Sequence, residues 1–495
     1  MSSDQQKRQN NFKASLKGTS LLGGVQVFQI LIAIIRSKVL AVFLGPTGVG
    51  VLGMLNSSLD VVYSISNLGL ATSAIRDISE ANQEENRIRL SKISKIFKNI
   101  VWGTGIFGCL LCLVLSPYWS VLSFGNHDYT ITFALLSVTV FFRLLSEGQN
   151  ALLQGTQNLR LMAKSNVLGN ALGLLSSLPC YYFWGVAGIG PSIFLMYLIN
   201  LILSWYYSNK IKLEKAAVTI EETFSEGYVM LKLGFFISLS ALLTTGTTYI
   251  IRIFIGKDGG LEDVGLYTAG FAIINTYVGM IFSAMSKEYF PRLSSVAKDS
   301  EAFSVAINQQ MQMSIILIAP FISVFMIFCK IGIGILYSNE FLGIDLMLCF
   351  AILAILFKAP SWCCSYAIIA KRDSKVFFWG EFVSLCVMLV ANLTLYHFLG
   401  LVGLGVAYII IYIYYMIQEW AICKKRYRVK ISSDVIKIYI PHFLLCLSCF
   451  IISLSFSDIY RYLVGIIPIF FSFLLSFKQL NEKINIIGIL KSKLK

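Results

Sequence analysis

Phe183-Trp184-Gly185-Val186-Ala187-Gly188-Ile189-Gly190 returns further along the chain as Phe398-Leu399-Gly400-Leu401-Val402-Gly403-Leu404-Gly405. The same spacing recurs outward from this stretch, to within one position. Ile34-Ile35-Arg36 returns as Ile250-Ile251-Arg252, Arg76 as Arg292 and Arg143 as Lys358. Gly-rich segments follow the first pair of arginines: Gly45-Pro46-Thr47-Gly48-Val49-Gly50, then Gly256 to Gly265. Chance among apolar helices explains one shared glycine pattern. It does not readily explain three basic pairs and a glycine motif at one spacing, so the chain reads as a duplication.

What is duplicated is membrane-spanning. The chain has 495 residues, 56% hydrophobic and only 14% charged, with mean hydropathy +0.73. Soluble domains do not have this composition. Apolar stretches of about 20 residues, enough to cross a bilayer, cover roughly 18–43, 48–70, 96–118, 129–152, 165–184, 187–207, 230–255, 264–286, 310–337, 343–370, 375–398, 401–421, 435–455 and 459–477. In lipid the backbone must satisfy its own hydrogen bonds, and the alternation of a membrane barrel is missing, so these stretches predict helices. The expected fold is an all-α integral membrane protein of about 14 transmembrane helices. An even number of spans per half makes the repeat parallel. Two six-helix bundles, 1–215 and 216–430, would surround a central cavity, followed by a terminal helix pair, 13 and 14, and a cytoplasmic tail in 431–495.

Lys and Arg set the expected orientation. They gather in alternate connections: Lys7/Arg8/Lys13/Lys17, the run Arg76 to Lys98, Lys210/Lys212/Lys215, Lys371/Arg372/Lys375, Lys424 to Lys430 and the C-terminal lysines. The opposite loops are short and hold little beyond Lys257 and Arg461. This asymmetry places both termini in the cytoplasm. The net charge of +15 is then topological. Anionic membrane lipids satisfy it, and it does not call for nucleic acid. The N-terminal stretch up to Lys17 is polar and lacks a cleavage site, so no cleavable signal peptide is expected. Segments 77–95 and 287–308 are expected to be amphipathic helices at the cytoplasmic surface. The eleven cysteines read as packing residues without metal spacing. Neither glycine motif is followed by Gly-Lys-Ser/Thr, and no nucleophile–base set is visible. No enzyme, cofactor or metal is expected.

A charge in hydrocarbon is costly and usually marks a substrate or ion path. Arg36 and Arg252 are expected in the outer half of the membrane and Arg143 and Lys358 in the inner half, with Arg76 and Arg292 at the cytoplasmic face as the first contact. Such a ladder of cations suits an anionic cargo. Glu147 lies one helical turn after Arg143, at i and i+4, so the two can pair. Its protonation would release the guanidinium, which makes Glu147 the main candidate for proton coupling and Asp60 a second.

Arg36-Ser-Lys-Val-Leu-Ala-Val-Phe-Leu-Gly-Pro-Thr-Gly-Val-Gly50, Leu68-Gly-Leu-Ala-Thr-Ser-Ala-Ile-Arg76 and Phe290-Pro-Arg292-Leu-Ser resemble segments of Wzx-type flippases of O-antigen and enterobacterial common antigen units. These belong to the multidrug/oligosaccharidyl-lipid/polysaccharide exporter superfamily. The resemblance implies a V-shaped pair of six-helix bundles in the bacterial inner membrane. It implies an undecaprenyl-diphosphate-linked oligosaccharide moved from the cytoplasmic to the periplasmic leaflet, with a polysaccharide polymerase and assembly proteins as potential partners. Three readings compete: a peptidoglycan-precursor flippase, a cation-coupled drug exporter of the same fold, and a non-transporting assembly scaffold. A drug exporter would favour acidic residues in its spans. The basic excess argues against it, and the buried charges argue against a scaffold.

Overall fold

The computed structural model describes residues 3–83, 87–211, 213–214, 217–456 and 458–484. Lys212, Lys215 and the tail 485–495 lie outside these, as do the side chains of Lys7, Arg8, Lys13 and Lys17. The described residues are mostly helical and contain no strand. Among the described residues, ten helices are long and apolar enough to cross a membrane, eleven when the bent pair Asn339–Leu353 and Ile355–Ala370 is one span. Three continuous stretches, Phe28–Asn67, Leu159–Ser208 and Ser374–Tyr427, each carry two of the apolar segments counted in the sequence. Each is broken at one glycine. Gly45 (φ 63°, ψ −173°), Gly185 (φ 52°, ψ −127°) and Gly400 (φ 58°, ψ −142°) adopt backbone angles that residues with a Cβ avoid.

The chain forms two compact units, Met1–Gly265 and Leu266–Lys495. The first contains α1 (Ser3–Asn67), α2 (Leu70–Gln83), α3 (Arg87–Val114), α4 (Ser116–Phe124), α5 (Thr130–Gly155), α6 (Leu159–Trp184), α7 (Ile189–Ser208) and α8 (Ile220–Asp258). The boundary between units therefore falls after α8 and not before it, where the sequence repeat begins again. The reason is that α8, the first helix of the second repeat, packs on α1, α2 and α3. Glycines permit this packing. A Cβ on Gly234 of α8 would stand 2.2 Å from the Leu68 carbonyl oxygen, and in the helix that follows α8 the Leu261 carbonyl oxygen comes so close to α1 that a Cβ on Gly50 would stand 1.9 Å from it. The glycine motif after Arg36 is thus a close-packing device.

The expected surface helix 77–95 has a different form. The chain breaks at Leu68 and Gly69, both at positive φ, and α2 begins at Leu70. Leu70, Ala74, Ile78 and Ala81 bury one face of α2, with Arg76 on another. The span helix α3 already begins at Arg87.

α9 (Gly260–Ile273) crosses into the second unit and leads through a π turn, Ile274–Val278, into α10 (Gly279–Ser295). α11 (Ser300–Ile327), α12 (Cys329–Leu336), α13 (Asp345–Leu353), α14 (Ile355–Ala370), α15 (Ser374–Tyr427), α16 (Ser433–Ser455) and α17 (Asp458–Ile484) follow. The expected surface segment 287–308 is the end of α10, a turn at 296–299 and the first turns of α11. The buried side chains of Tyr289, Phe303, Met311, Cys363 and Cys423 form a core between α10, α11, α14 and α15. The terminal pair α16 and α17 packs on α11 within this unit.

Candidate functional site

One face of α1 carries Gly53, Ser57, Asp60 and Ser64 at helical spacing. Each receives a partner from elsewhere in the first unit. Arg252 of α8 donates to the Gly53 carbonyl at 3.3 Å and to the Ser57 hydroxyl. Ser64 meets Thr245 at 3.3 Å. Asp60 accepts from Arg143 of α5, with Nη1 to Oδ1 at 2.6 Å. Arg143 Nε also lies 3.3 Å from Glu147 Oε1, so the i,i+4 pair is formed. Tyr63 completes the cage. Its ring centroid is 3.8 Å from the Arg143 guanidinium carbon, and its hydroxyl donates to Glu147. Tyr197 of α7 lies within electrostatic reach of Arg143, Asp60, Glu147 and Arg36, and Tyr181 within reach of Arg36.

The cluster is open. The side chains of Asp60 and Glu147 are 42% and 39% exposed and that of Arg143 is 23% exposed, so the protein itself does not enclose them. Contrast Arg461 of α17, whose side chain is 1% exposed. It donates to both oxygens of Asp345, at 2.7 and 3.1 Å, and to the Met326 carbonyl. Cys329, Asp345 and Cys349 offer ligand atoms within 4.8 Å of one another, a spacing that could hold a metal ion. The Arg461 guanidinium, 3.5 Å from Cys349 Sγ, already supplies a cation there. That ion pair is sealed and joins α17 to α13.

In the second unit Lys358 of α14 stands over two rings, 5.4 Å from the Phe282 centroid and 5.2 Å from that of Tyr412. A tyrosine and carboxylate array lies close by on α15. The Tyr415 hydroxyl donates to Glu381 at 2.7 Å. Glu419 is 2% exposed, with Oε1 held by Gln418 at 3.3 Å and Oε2 lacking a hydrogen-bond partner. Arg292, in the last turn of α10, pairs with Glu288 at 3.2 Å and with Gln310 at 3.0 Å. Arg76 stands exposed on α2, and among the described residues no contact of it with the Arg143 cluster is seen.

Sequence reasoning missed Tyr63, Tyr197 and Glu419. A signal existed for the last: Tyr408, Tyr412, Tyr415 and Glu419 are spaced 4, 3 and 4 and share one helix face. The open and sealed clusters, and the apolar helices that hold them, are features of a multi-pass membrane transporter.

Residues 39–346, more than half of the chain, match the family described as "Polysaccharide biosynthesis protein", and the chain belongs to that family. Over 390 residues it is 21% identical to the lipid III flippase of Escherichia coli (strain K12), covering 76% of this chain and 90% of that protein. The lipid III flippase of Shigella flexneri matches to the same extent. Among solved structures, the lipid II flippase MurJ in its inward closed conformation is similar, with TM-score 0.72 and 15% identity, covering 94% of this chain and 99% of that one. So is an inward-facing multidrug resistance MATE family transporter of the MOP superfamily, with TM-score 0.67 and 13% identity, covering 83% and 96%. At these identities the structural likeness is one of fold.

Proposed function

We propose that this protein flips an undecaprenyl-diphosphate-linked oligosaccharide from the cytoplasmic to the periplasmic leaflet of a bacterial inner membrane, supplying surface polysaccharide assembly. The reading rests chiefly on Arg143: a guanidinium within membrane-spanning helices, reachable from outside, and held by two titratable carboxylates. Arginine pairs bidentately with phosphate oxygens, while the polyprenyl tail can stay in lipid. The family, and relatives that are themselves lipid III flippases, support a lipid-linked glycan as substrate. The Lys and Arg asymmetry supports cytoplasmic termini and hence the direction.

In this reading Arg36, Arg143 and Arg252 of the first unit, Arg292 and Lys358 of the second, and Arg76 on α2 contact the diphosphate. Asp60 and Glu147 compete with it for Arg143. Protonating them frees the guanidinium for substrate, and deprotonating them displaces the substrate, which couples transport to a proton gradient. Two carboxylates around one arginine also favour a second reading, cation-coupled export of a cationic drug. The test is rescue of a flippase-deficient strain at matched protein level, beside drug resistance in an exporter-deficient strain. Rescue without resistance supports the flippase. Resistance without rescue overturns it. If the protein rescues a peptidoglycan-precursor flippase mutant but no surface-polysaccharide mutant, the substrate moves to that precursor.

A further inference from the structure

A cavity of about 580 Å³ lies in the first unit between the first turns of α3, the C-terminal turns of α5 and α7, and the stretch that follows α7, with Asn209, Ile211 and Glu214. None of the proposed diphosphate contacts lines it. Lys95 and Lys98, one turn apart on α3 and both exposed, stand on one wall. Between them and the interior is Ser94, more than nine-tenths buried, whose hydroxyl has no hydrogen-bond partner. A buried donor without an acceptor calls for an explanation. Among the described residues, Glu214 is the one carboxylate lining the cavity. Its backbone N–H is taken by Ser91 at 3.0 Å. Two ammoniums against one carboxylate leave the cavity positive.

The flanks indicate depth. Trp102 and Trp205 both line the cavity and are both exposed. Tryptophan concentrates at the boundary between hydrocarbon and water. The sequence agrees, since Lys95 and Lys98 precede Trp102 on α3, and Asn209 and Lys210 follow Trp205 after α7. Lys210 lies over the Tyr206 ring, 4.4 Å from its centroid. The cavity therefore opens at the level of lipid headgroups, and its volume is within the range of small-molecule sites.

We propose that this cavity binds the headgroup phosphate of an anionic glycerophospholipid of the bilayer. Lys95 and Lys98 pair with the phosphate, the Ser94 hydroxyl donates to one of its oxygens, and the acyl chains leave past Trp102 and Trp205. A zwitterionic headgroup would bring its own ammonium against the two lysines, so anionic lipid is preferred. The inference requires a membrane protein but not the flippase reading.

The test is thermal unfolding of the full-length protein in a neutral detergent, titrated with phosphatidylglycerol, phosphatidylcholine, inorganic phosphate or undecaprenyl diphosphate. Phosphatidylglycerol is expected to raise the unfolding midpoint at about tenfold lower concentration than phosphatidylcholine, and Lys95→Gln with Lys98→Gln to remove that preference. Lys424→Gln with Lys425→Gln, a basic pair outside the cavity, is expected to keep it. Equal responses to the two phospholipids overturn the proposal, as does a preference that survives loss of both lysines or vanishes with the control pair. Inorganic phosphate acting as well as phosphatidylglycerol makes the cavity an aqueous anion site and overturns it. Displacement of phosphatidylglycerol by substoichiometric undecaprenyl diphosphate assigns the cavity to that lipid and overturns it too. If the double variant does not fold, Ser94→Ala decides. It should weaken phosphatidylglycerol binding severalfold, and unchanged affinity refutes the assignment.

Discussion

Arg143 holds two carboxylates and Arg461 one, and exposure gives them opposite roles. Around Arg461 the charges are sealed, and removing one partner strands the other in a dry interior. Arg461→Met should therefore cost about 3–5 kcal/mol and lower the unfolding temperature. A thiol-reactive dye can follow this, because most of the eleven cysteines are buried and become reactive only on unfolding. Normal stability of Arg461→Met would show that the pair does not hold α17. Around Arg143 the carboxylates are more than a third exposed, so stability should change little while transport changes much. Arg143→Ala is expected to lose most flipping at normal protein level, and Arg143→Lys to keep some, since an ammonium retains the charge without the bidentate fork. Glu147→Gln should alter the response of transport to the proton gradient. An unaltered response would remove Glu147 from coupling. Pairing of Arg143 with Glu147 was legible because both lie on one helix, a single turn apart. Asp60, far before Arg143 in the chain, and the Tyr63 ring were not legible as partners, because only the packing of α1 on α5 brings them there.

At the scale of elements, two glycines of the recurring sequence stretch have similar backbone angles. Gly185 and Gly400 occupy equivalent places in the two copies and make the same break. Just beyond each, a Cβ on Gly188 would stand 2.1 Å from the Cys180 carbonyl oxygen, and one on Gly403 would stand 2.0 Å from that of Leu395. Gly185→Ala and Gly400→Ala should each cost about 1–3 kcal/mol of backbone strain, read as a lower unfolding temperature. Two unaffected variants would mean that the chain can turn there with ordinary angles. At the start of α8, Thr219 and Glu222 form a reciprocal cap, and Glu222 also meets Lys92 of α3 at 2.8 Å. The Lys92 ammonium holds the Glu222 carboxyl below its ordinary range. A lowered carboxylate contributes stability above its unfolded value, about pH 4.3, and loses it as pH falls through the lowered folded value. The pair is solvent-exposed, so the effect is small. Unfolding temperatures of wild type and Glu222→Gln should differ at pH 7 and converge below about pH 4. A difference that persists in acid would put the effect in the cap geometry instead.

For the whole molecule, the distribution of Lys and Arg predicts that the N-terminus and residue 484 share the cytoplasmic side. Reporter fusions active only in the cytoplasm should work at both positions and fail after residues 126 and 341. Activity at the latter two would invert the topology. The membrane class and the helices were legible in the sequence because hydropathy, helical period and the tolerance of glycine for unusual backbone angles are local properties. Which charges are sealed and which are reachable was not. Glu419 drew no notice in the sequence, near the end of an apolar stretch and before Lys424 and Lys425, yet it is buried. Likewise Arg461 reads as a loop residue and is almost wholly enclosed. α8 belongs by sequence to the second repeat, but its glycines dock it on the first unit. These outcomes depend on which faces of distant helices meet, and in a chain apolar throughout, hydropathy does not distinguish a face turned to lipid from one turned to protein.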